Sequence, residues 1–255
     1  MGGAIARAVC KATDPQNVYL ANRTAAKAEA LAEELGCKTT VNDEVAGRCD
    51  LIFLAVKPQM MEALLAPLKF TLNERPGRFI LCSMAAGLSI PRIQEMAGED
   101  YPVIRIMPNT PAFVAQGMTA VCMPGLSPEE EAEFHQVLSS FGQVEVLPER
   151  LMDVIVSVTG SSPAYVYMMI EAMGDAAVSI GLSRDSAYRL AAQALIGSAT
   201  MVRDTGKHPG ALKDDVCTPG GTTIQAVRVL EERGFRSALF EAMLKCHFAG
   251  AAPTT

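Results

Sequence analysis

From its start to about residue 148, the chain alternates short apolar runs with amphipathic stretches, and this alternation restricts the fold more than any other feature. Continuous apolar runs of this length are typical of parallel strands covered by helices on both faces. The predicted strands are 17–20, 51–56, 79–83, 103–107, 118–123 and 144–147, and the predicted helices between them are 24–35, 60–72, 90–97 and 128–141. The pattern predicts an α/β, Rossmann-like domain built on a doubly wound parallel sheet.

The pattern changes at about Glu149, where strand-like runs disappear and long helical patterns begin. The predicted helices are 151–158, 163–180, 183–205, 224–232 and 235–248. We therefore predict two domains: residues 1–148, which bind a dinucleotide, and residues 149–255, which are all helical.

Composition and charge exclude several classes of protein. A net charge of −6 with scattered basic residues argues against binding to nucleic acid or to an anionic membrane. No apolar run approaches the roughly 20 residues of a membrane span, and the start lacks the pattern of a signal peptide. Seven cysteines without a C-x-x-C pair argue against a disulfide framework and against a zinc site. We expect a soluble, cytoplasmic protein without a metal.

The sequence opens at Gly2 and Gly3 with what reads as the first turn of a helix, without a strand before it. The first strand of a doubly wound sheet lies centrally, and its loss would leave neighbouring strands unpaired. We therefore expect a truncated sequence that lacks this strand. One of the two glycines would then be the last glycine of a G-x-G-x-x-G loop, and a flexible terminus is the alternative interpretation.

The residues that follow the strand at 17–20 predict the choice of cofactor. Dinucleotide folds that bind NAD place an acidic residue here, next to the ribose 2′-hydroxyl. This chain has Asn22, Arg23 and Thr24 instead, which suit a 2′-phosphate and hence NADPH, with NADH possible. The alternative is that Asn22 or Thr24 only caps the next helix while Arg23 is solvated.

Further candidates for cofactor binding follow later strands, at the sheet edge where such folds bind ligands. They are Ala55, Val56, Lys57, Pro58, Ala85, Ala86, Gly87 and Asn109. Small and turn-forming residues in successive loops would allow a flat nicotinamide ring to approach the backbone. Lys57 would approach the cofactor's phosphate and ribose, or is simply solvated.

The most specific element of the helical half is the turn Thr218-Pro219-Gly220-Gly221-Thr222-Thr223, which precedes an apolar helical pattern. A helix N-terminus with bare glycine backbone, flanked by hydroxyls, predicts a carboxylate or phosphate site. An ordinary glycine–proline turn with a threonine cap is the alternative.

The helical half also predicts self-association. Helices 163–180 and 183–205 carry apolar or small residues on more than one face, among them Ala191, Ala192, Ala194, Gly197, Ala199 and Met201. Met168, Met169 and Met173 are expected in the core or at a subunit interface. More apolar surface than one domain can bury predicts a homodimer whose active sites draw on both chains.

Several of these segments together resemble the Δ1-pyrroline-5-carboxylate reductase family. They are Asn22-Arg23-Thr24, Ala55-Val56-Lys57-Pro58, Met107-Pro108-Asn109-Thr110-Pro111, Gly160-Ser161-Ser162-Pro163-Ala164-Tyr165, His208-Pro209-Gly210 and residues 212–231. The resemblance implies reduction of a cyclic imine to L-proline, the last step of proline biosynthesis, by an interlocked homodimer that can assemble further. It also implies that Thr223 hydrogen-bonds the imine nitrogen, while Thr218 and the backbone of Gly221 and Thr222 hold the substrate carboxylate.

Two other functions are alternatives to this one. A β-hydroxyacid dehydrogenase has a similar architecture but uses a lysine followed four residues later by asparagine in its helical domain, and this chain has no asparagine after Asn109. A non-catalytic NADP-binding sensor would need no anion-binding turn in the helical half.

Overall fold

The computed structural model describes residues 1–251, and side chains up to residue 249. The last residues of the predicted second domain, 252–255, lie outside the described part. The chain divides into two compact units. The sheet unit is Met1–Pro163 together with the chain from Cys246 onward, and the helical unit is Ala164–Lys245. This division falls after the predicted boundary at residue 148, and that boundary stays a prediction.

The strands of the sheet unit form two sheets. Strands β1 (Tyr19–Leu20) and β2 (Lys38–Thr39) pair in parallel as a two-stranded sheet. The second sheet has the order β3-β4-β5-β6-β7, from β3 (Leu51–Leu54), β4 (Ile80–Ser83), β5 (Val103–Met107), β6 (Gly117–Cys122) and β7 (Gly142–Val146). The α/β, Rossmann-like class predicted from the sequence is confirmed.

The direction of the last two strands corrects the prediction of an all-parallel sheet. β6 runs antiparallel to β5, and β7 is parallel to β6. Only a short 3₁₀ turn, Thr110–Val114, connects β5 to β6. A parallel connection needs a crossover of about a dozen residues or more, usually a helix, so this short connection returns the chain in the opposite direction.

The helices of the sheet unit are α1 (Gly2–Ala12), α2 (Ala25–Leu35), α3 (Asn42–Arg48), α4 (Met61–Leu65), α5 (Lys69–Glu74), α6 (Ile90–Ala97), α7 (Pro128–Ser139) and α8 (Met152–Ile155). Local chemistry sets several ends: α2 stops at Gly36 in the left-handed conformation, and Ser127 and Glu130 form a capping box at the start of α7. The helix predicted at 60–72 is interrupted by a 3₁₀ turn, Ala66–Leu68, because Pro67 cannot donate a helix hydrogen bond.

The five-stranded sheet packs its apolar side chains into two clusters, which lie on opposite faces because side chains alternate along each strand. Val103 of β5 belongs to the first cluster, whereas Ile104 and Ile106 belong to the second. The first cluster includes Met152 of α8, and the second includes Phe134 of α7. The sheet is thereby held between two packed layers.

The helix predicted at 151–158 is irregular on both sides of α8. A 3₁₀ turn, Glu149–Leu151, precedes α8, and a π-helix, Val156–Gly160, follows it. Wide π turns are rare and occur frequently at functional sites.

The helical unit holds most of α9 (Ser162–Ser179) and α13 (Phe235–Ala251), and all of α10 (Arg184–Thr205), α11 (Pro209–Val216) and α12 (Thr222–Glu232). Its buried residues are small, Gly174, Ala187 and Ala191. A side chain at Gly174 would place its Cβ 2.5 Å from Cε1 of Tyr188, so glycine is required where α9 and α10 pack. Large apolar side chains, Met168 among them, remain exposed. Among the described residues, no helix is both long and apolar enough to cross a bilayer.

Candidate functional site

The predicted cofactor residues of the five-stranded sheet lie at one edge. Leu54 of β3 aligns with Ser83 of β4, and Ser83 aligns with Arg105 of β5. Because the three strands are parallel, the loops that follow them leave at the same edge, which we call the strand-end edge. It brings together the segments Ala55-Val56-Lys57-Pro58, Ala85-Ala86-Gly87 and Asn109. Dinucleotide folds bind their ligand at this edge.

Gly2 allows helix α1 to pack closely against Ala55 at this edge. A Cβ on Gly2 would lie 2.9 Å from Cβ of Ala55, whereas a Cβ on Gly3 would have only looser contacts, 3.4 Å from Nη1 of Arg7 and 3.6 Å from Cδ2 of Leu31. The last glycine of a dinucleotide-binding loop permits such contact between helix and strand, so the geometry favours Gly2 for this role. No side chain caps α1. The first N–H groups of α1 therefore lack an intrahelical acceptor and suit a phosphate.

The segment after β1 offers donors to a ligand. Asn22 accepts a hydrogen bond from the N–H of Thr24 at 2.9 Å, which shapes the turn, while Thr24 is the N-cap of α2 without a capping bond from its hydroxyl. Arg23 and Lys57 are exposed, and neither has a hydrogen bond or ion pair among the described residues. The structure thus supports the capping alternative only for the Asn22 turn, and it leaves the Arg23 guanidinium available.

The threonine–glycine turn of the helical unit begins α12. Gly220 has a left-handed φ of +71°, and a Cβ on Gly221 would lie 2.5 Å from Oγ1 of Thr218, so both positions require glycine. Gly221 is the N-cap and no side chain caps the helix. The N–H of Gly221 donates to the carbonyl oxygen of Thr218 at 3.0 Å, whereas the first N–H groups of α12 itself are without intrahelical acceptors. The hydroxyls of Thr218, Thr222 and Thr223 make no hydrogen bond within the described residues, and Thr223 is half-buried. A helix N-terminus of this kind is suited to an anion, and the predicted binding role of the turn stays a prediction.

Comparison with known proteins identifies the family. The profile described as pyrroline-5-carboxylate reductase dimerisation matches residues 149–250, and the profile described as NADP oxidoreductase coenzyme F420-dependent matches residues 1–87. The pyrroline-5-carboxylate reductase of Escherichia coli K12 is 47% identical over 234 residues, which cover 91% of this chain and 86% of that protein. The chain belongs to the pyrroline-5-carboxylate reductase family.

Solved structures of pyrroline-5-carboxylate reductases agree. One from Coxiella burnetii superposes with a TM-score of 0.87 at 29% identity and covers 98% of this chain and 95% of that chain. Another, from Plasmodium falciparum with NADP bound, gives a TM-score of 0.85 at 29% identity and covers 98% of this chain and 93% of that chain.

Asn109 has a clear structural task in this member of the reductase family. Its Nδ2 donates to the carbonyl oxygen of Thr159 at 3.1 Å, and its Oδ1 accepts from the N–H of Met118 at 2.9 Å. The side chain thus ties the end of β5 to the π-helix and to β6. Its amide oxygen and nitrogen both have protein partners, so the predicted cofactor contact of Asn109 stays a prediction.

Sequence reasoning missed a polar network beside the strand-end edge of the reductase. Arg105, in the buried strand β5, pairs with Glu149 and Asp153. These carboxylates also accept N–H groups from the loop after β4. The signal in the sequence was a lone arginine within the apolar run at 103–107.

Two cysteine thiols of the sheet unit, Cys82 and Cys10, have raised pKa values. Burial raises the pKa of the Cys82 thiol in β4 well above its ordinary value. Burial, together with the neighbouring Cys37, raises the pKa of Cys10 to about 11. Both thiols therefore stay protonated near neutral pH and are poor nucleophiles. Within the described residues, no group of three or more His, Cys, Asp or Glu side chains is placed to hold a metal ion.

Proposed function

We propose that this chain reduces 1-pyrroline-5-carboxylate to L-proline with NADPH, the last step of proline biosynthesis, and accepts NADH less well. The observation that carries the proposal is the uncapped N-terminus of α12 with its three free threonine hydroxyls, in a chain that is 47% identical to a pyrroline-5-carboxylate reductase. This site holds an anion and offers a hydrogen bond without a strong acid or base. Reduction of an imine acid needs little more.

The residues present fit the cofactor. Gly2 allows α1 to approach Ala55, the free N–H groups of α1 would hold the pyrophosphate, and Arg23 and Thr24 would bracket the 2′-phosphate. Lys57 would approach the phosphate and ribose. The loops with Val56, Pro58, Ala85, Ala86 and Gly87 would line the nicotinamide half of the site. A bound NADP in the Plasmodium falciparum relative supports this choice of cofactor.

The turn at α12 would hold the substrate. The backbone N–H of Thr222 and the hydroxyl of Thr218 would bind its carboxylate, and Gly220 would shape the turn. The N–H of Gly221 donates to the carbonyl oxygen of Thr218 at 3.0 Å, so it would reach the carboxylate only by sharing that bond. Thr223, one residue further along the helix, would place its hydroxyl at the imine nitrogen and act as the catalytic residue.

The nicotinamide, when bound, would supply a hydride to the imine carbon. The substrate would gain a C–H bond there, and the π electron pair of its C=N bond would move to the nitrogen, which already carries a proton. The product is a secondary amine, and it takes up one further proton from water. The task of Thr223 is to accept a hydrogen bond from the N–H group of the iminium and so to orient its C=N bond.

We also propose that the protein works in the cytoplasm as a homodimer or a larger homo-oligomer, with residues 149–255 as the dimerisation and substrate-binding domain. The match of residues 149–250 to the dimerisation profile and the exposed apolar side chains of the helical unit support this assembly.

The direct test is the decrease of NADPH absorbance on addition of pyrroline-5-carboxylate, with L-proline identified as the product. We expect turnover with pyrroline-5-carboxylate and none with a β-hydroxyacid and NADP⁺. Turnover of only the β-hydroxyacid, or binding of NADPH without turnover of either substrate, would contradict the proposal.

A further inference from the structure

The starting observation is a charged side chain inside a buried strand. The Arg105 side chain in β5 is only 4% exposed. Side-chain alternation places it on the same face as Val103, toward the first apolar cluster. A buried guanidinium is costly unless it is paired and hydrogen-bonded, so its partners on this face determine what it does.

The partners are two carboxylates one helical turn apart. Nη1 of Arg105 lies 3.2 Å from Oε1 of Glu149, and Nη2 lies 2.9 Å from Oδ1 of Asp153. Both acids belong to the sheet unit, in the segment just before and within α8. The rigid fork of the guanidinium fixes the position of both carboxylates at once.

The same two oxygens also accept backbone N–H groups from the loop after β4. Oε1 of Glu149 accepts from the N–H of Ile90 at 2.6 Å, and Oδ1 of Asp153 accepts from the N–H of Gly87 at 3.3 Å. Gly87 has a left-handed φ of +74°, which marks the tip of the loop, and Ile90 begins α6. The loop is therefore held at its tip and where it enters α6, and both accepting carboxylates are paired with Arg105.

We propose that Arg105 is a positioning residue: through Glu149 and Asp153 it fixes loop 84–89, against which the nicotinamide half of the cofactor lies. The inference rests on the proposed function. The loop leaves the strand-end edge, and its exposed tip consists of Ala86 and Gly87, small residues that let a flat ring come close to the backbone. Hydride transfer is sensitive to such placement, since a displacement of about 1 Å can cost roughly a hundredfold in rate.

The variant that tests this is Asp153→Ala, because it frees the loop tip while Arg105 keeps its bond to Glu149. In the full chain we expect at least about tenfold faster hydrogen exchange at the Gly87 amide and about tenfold lower kcat, with the KM for NADPH little changed. A larger isotope effect with 4-deuterated NADPH would accompany the loss, because hydride transfer becomes slower relative to the other steps.

The matched control is Asp50→Ala. Asp50 pairs with Arg75, whose side chain is also 4% exposed, but which contacts the carbonyl oxygens of Ala46 and Cys49 rather than a loop of the strand-end edge. We expect this control to leave kcat unchanged. Asp153→Asn keeps an oxygen that accepts both bonds, and it should restore most of the protection of Gly87 and most of the kcat.

Two results would overturn the inference: unchanged exchange at Gly87 in Asp153→Ala, or faster exchange there with unaltered kcat and isotope effect. An equal loss of kcat in Asp50→Ala would do the same, since it would show a general loss of stability. If the unaltered chain does not oxidise NADPH with pyrroline-5-carboxylate, the proposed function fails. The exchange measurement still decides separately whether Asp153, the partner of Arg105, holds the tip of the loop.

Discussion

The sheet unit and the helical unit bury their apolar residues very differently. In the sheet unit, large side chains such as Phe134, Phe141 and Leu65 are completely buried within one chain. In the helical unit, the buried residues are glycine and alanine, while leucine, isoleucine, methionine and phenylalanine side chains stay exposed. A region of this kind needs a second surface to cover it, and a second copy of the same chain is the proposed one. The sheet unit buries its apolar core within one chain, whereas the helical unit buries its large apolar side chains on assembly with a second chain.

The largest effect is expected from breaking the core of the sheet unit. Phe134→Ala should lower the free energy of unfolding by about 3–5 kcal/mol, because the cavity left in a packed core does not close fully. The loss should be the same at every protein concentration, since the lost contacts lie within one chain. Chemical denaturation followed by circular dichroism measures it. Phe70→Ala is the control, since Phe70 is 77% exposed in the same unit; equal losses in the two variants would contradict the prediction.

The next effect concerns assembly through the helical unit. Ile196, in α10, is 58% exposed in the single chain. If a partner covers it, Ile196→Glu places a carboxylate at an apolar contact, and burying an unpaired polar group there costs about 1–3 kcal/mol per site. A two-fold interface counts this cost twice, so a cost of about 1.5 kcal/mol per site, or roughly 3 kcal/mol in all, corresponds to more than a hundredfold weaker dimer. Sedimentation across a range of concentrations measures the shift, and activity should fall with the dimer.

Val146→Glu is the matched control for this variant, because Val146 is also 58% exposed but lies in β7 of the sheet unit. It should leave the oligomeric state unchanged. A stable and active monomer, in the unaltered chain or in Ile196→Glu, would show that the exposed apolar side chains of α10 have another purpose.

Within the sheet unit, some elements could be predicted from the sequence and others could not. Strong local signals gave correct elements: Ser89 and Gly98 bound α6 at residues 90–97, as predicted. Strand β2 was missed because Lys38 and Thr39 are polar and form no apolar run. The prediction that β6 is parallel to β5 was wrong, because an apolar pattern does not indicate strand direction. The short connection after Met107 does indicate it, since a short connection favours antiparallel strands.

In the candidate site, too, local features could be predicted from the sequence, whereas contacts made by the tertiary fold could not. Glycines and threonines in the turn at 218–223 could be recognised because their chemistry is local. Arg105 could not, because its carboxylates lie 44 and 48 residues further along the chain and only the folded structure brings them together. Asn109 was recognised as a strand-end residue, but its bonds to Thr159 and Met118 depend on the tertiary fold.

A smaller effect is expected at the cofactor end of the sheet unit. Arg23→Ala removes a free guanidinium proposed to contact the 2′-phosphate, and the loss of such a charge-assisted contact costs roughly 1.5–3 kcal/mol, about ten- to a hundredfold in affinity. The KM for NADPH should rise accordingly, while that for NADH, which lacks this phosphate, stays nearly constant. Steady-state kinetics with both cofactors test this. An equal rise for both would show that Arg23 acts on the shared phosphates or on the fold.

The smallest effect, at Thr223 in the helical unit, separates catalysis from anion binding. If its hydroxyl bonds the substrate nitrogen as the hydride arrives, Thr223→Ala should lower kcat by about five- to thirtyfold, or roughly 1–2 kcal/mol of barrier. Cofactor affinity should hardly change, in contrast to Arg23→Ala. Thr223→Ser keeps the hydroxyl and should retain most activity, with some loss from its freer rotamer.

If the Thr223 hydroxyl has only a structural role at the start of α12, its loss in Thr223→Ala should lower the melting temperature and leave kcat per folded molecule intact. Kinetics measured beside thermal melts therefore decide between the two roles, and normal turnover by folded Thr223→Ala would remove Thr223 from the reaction.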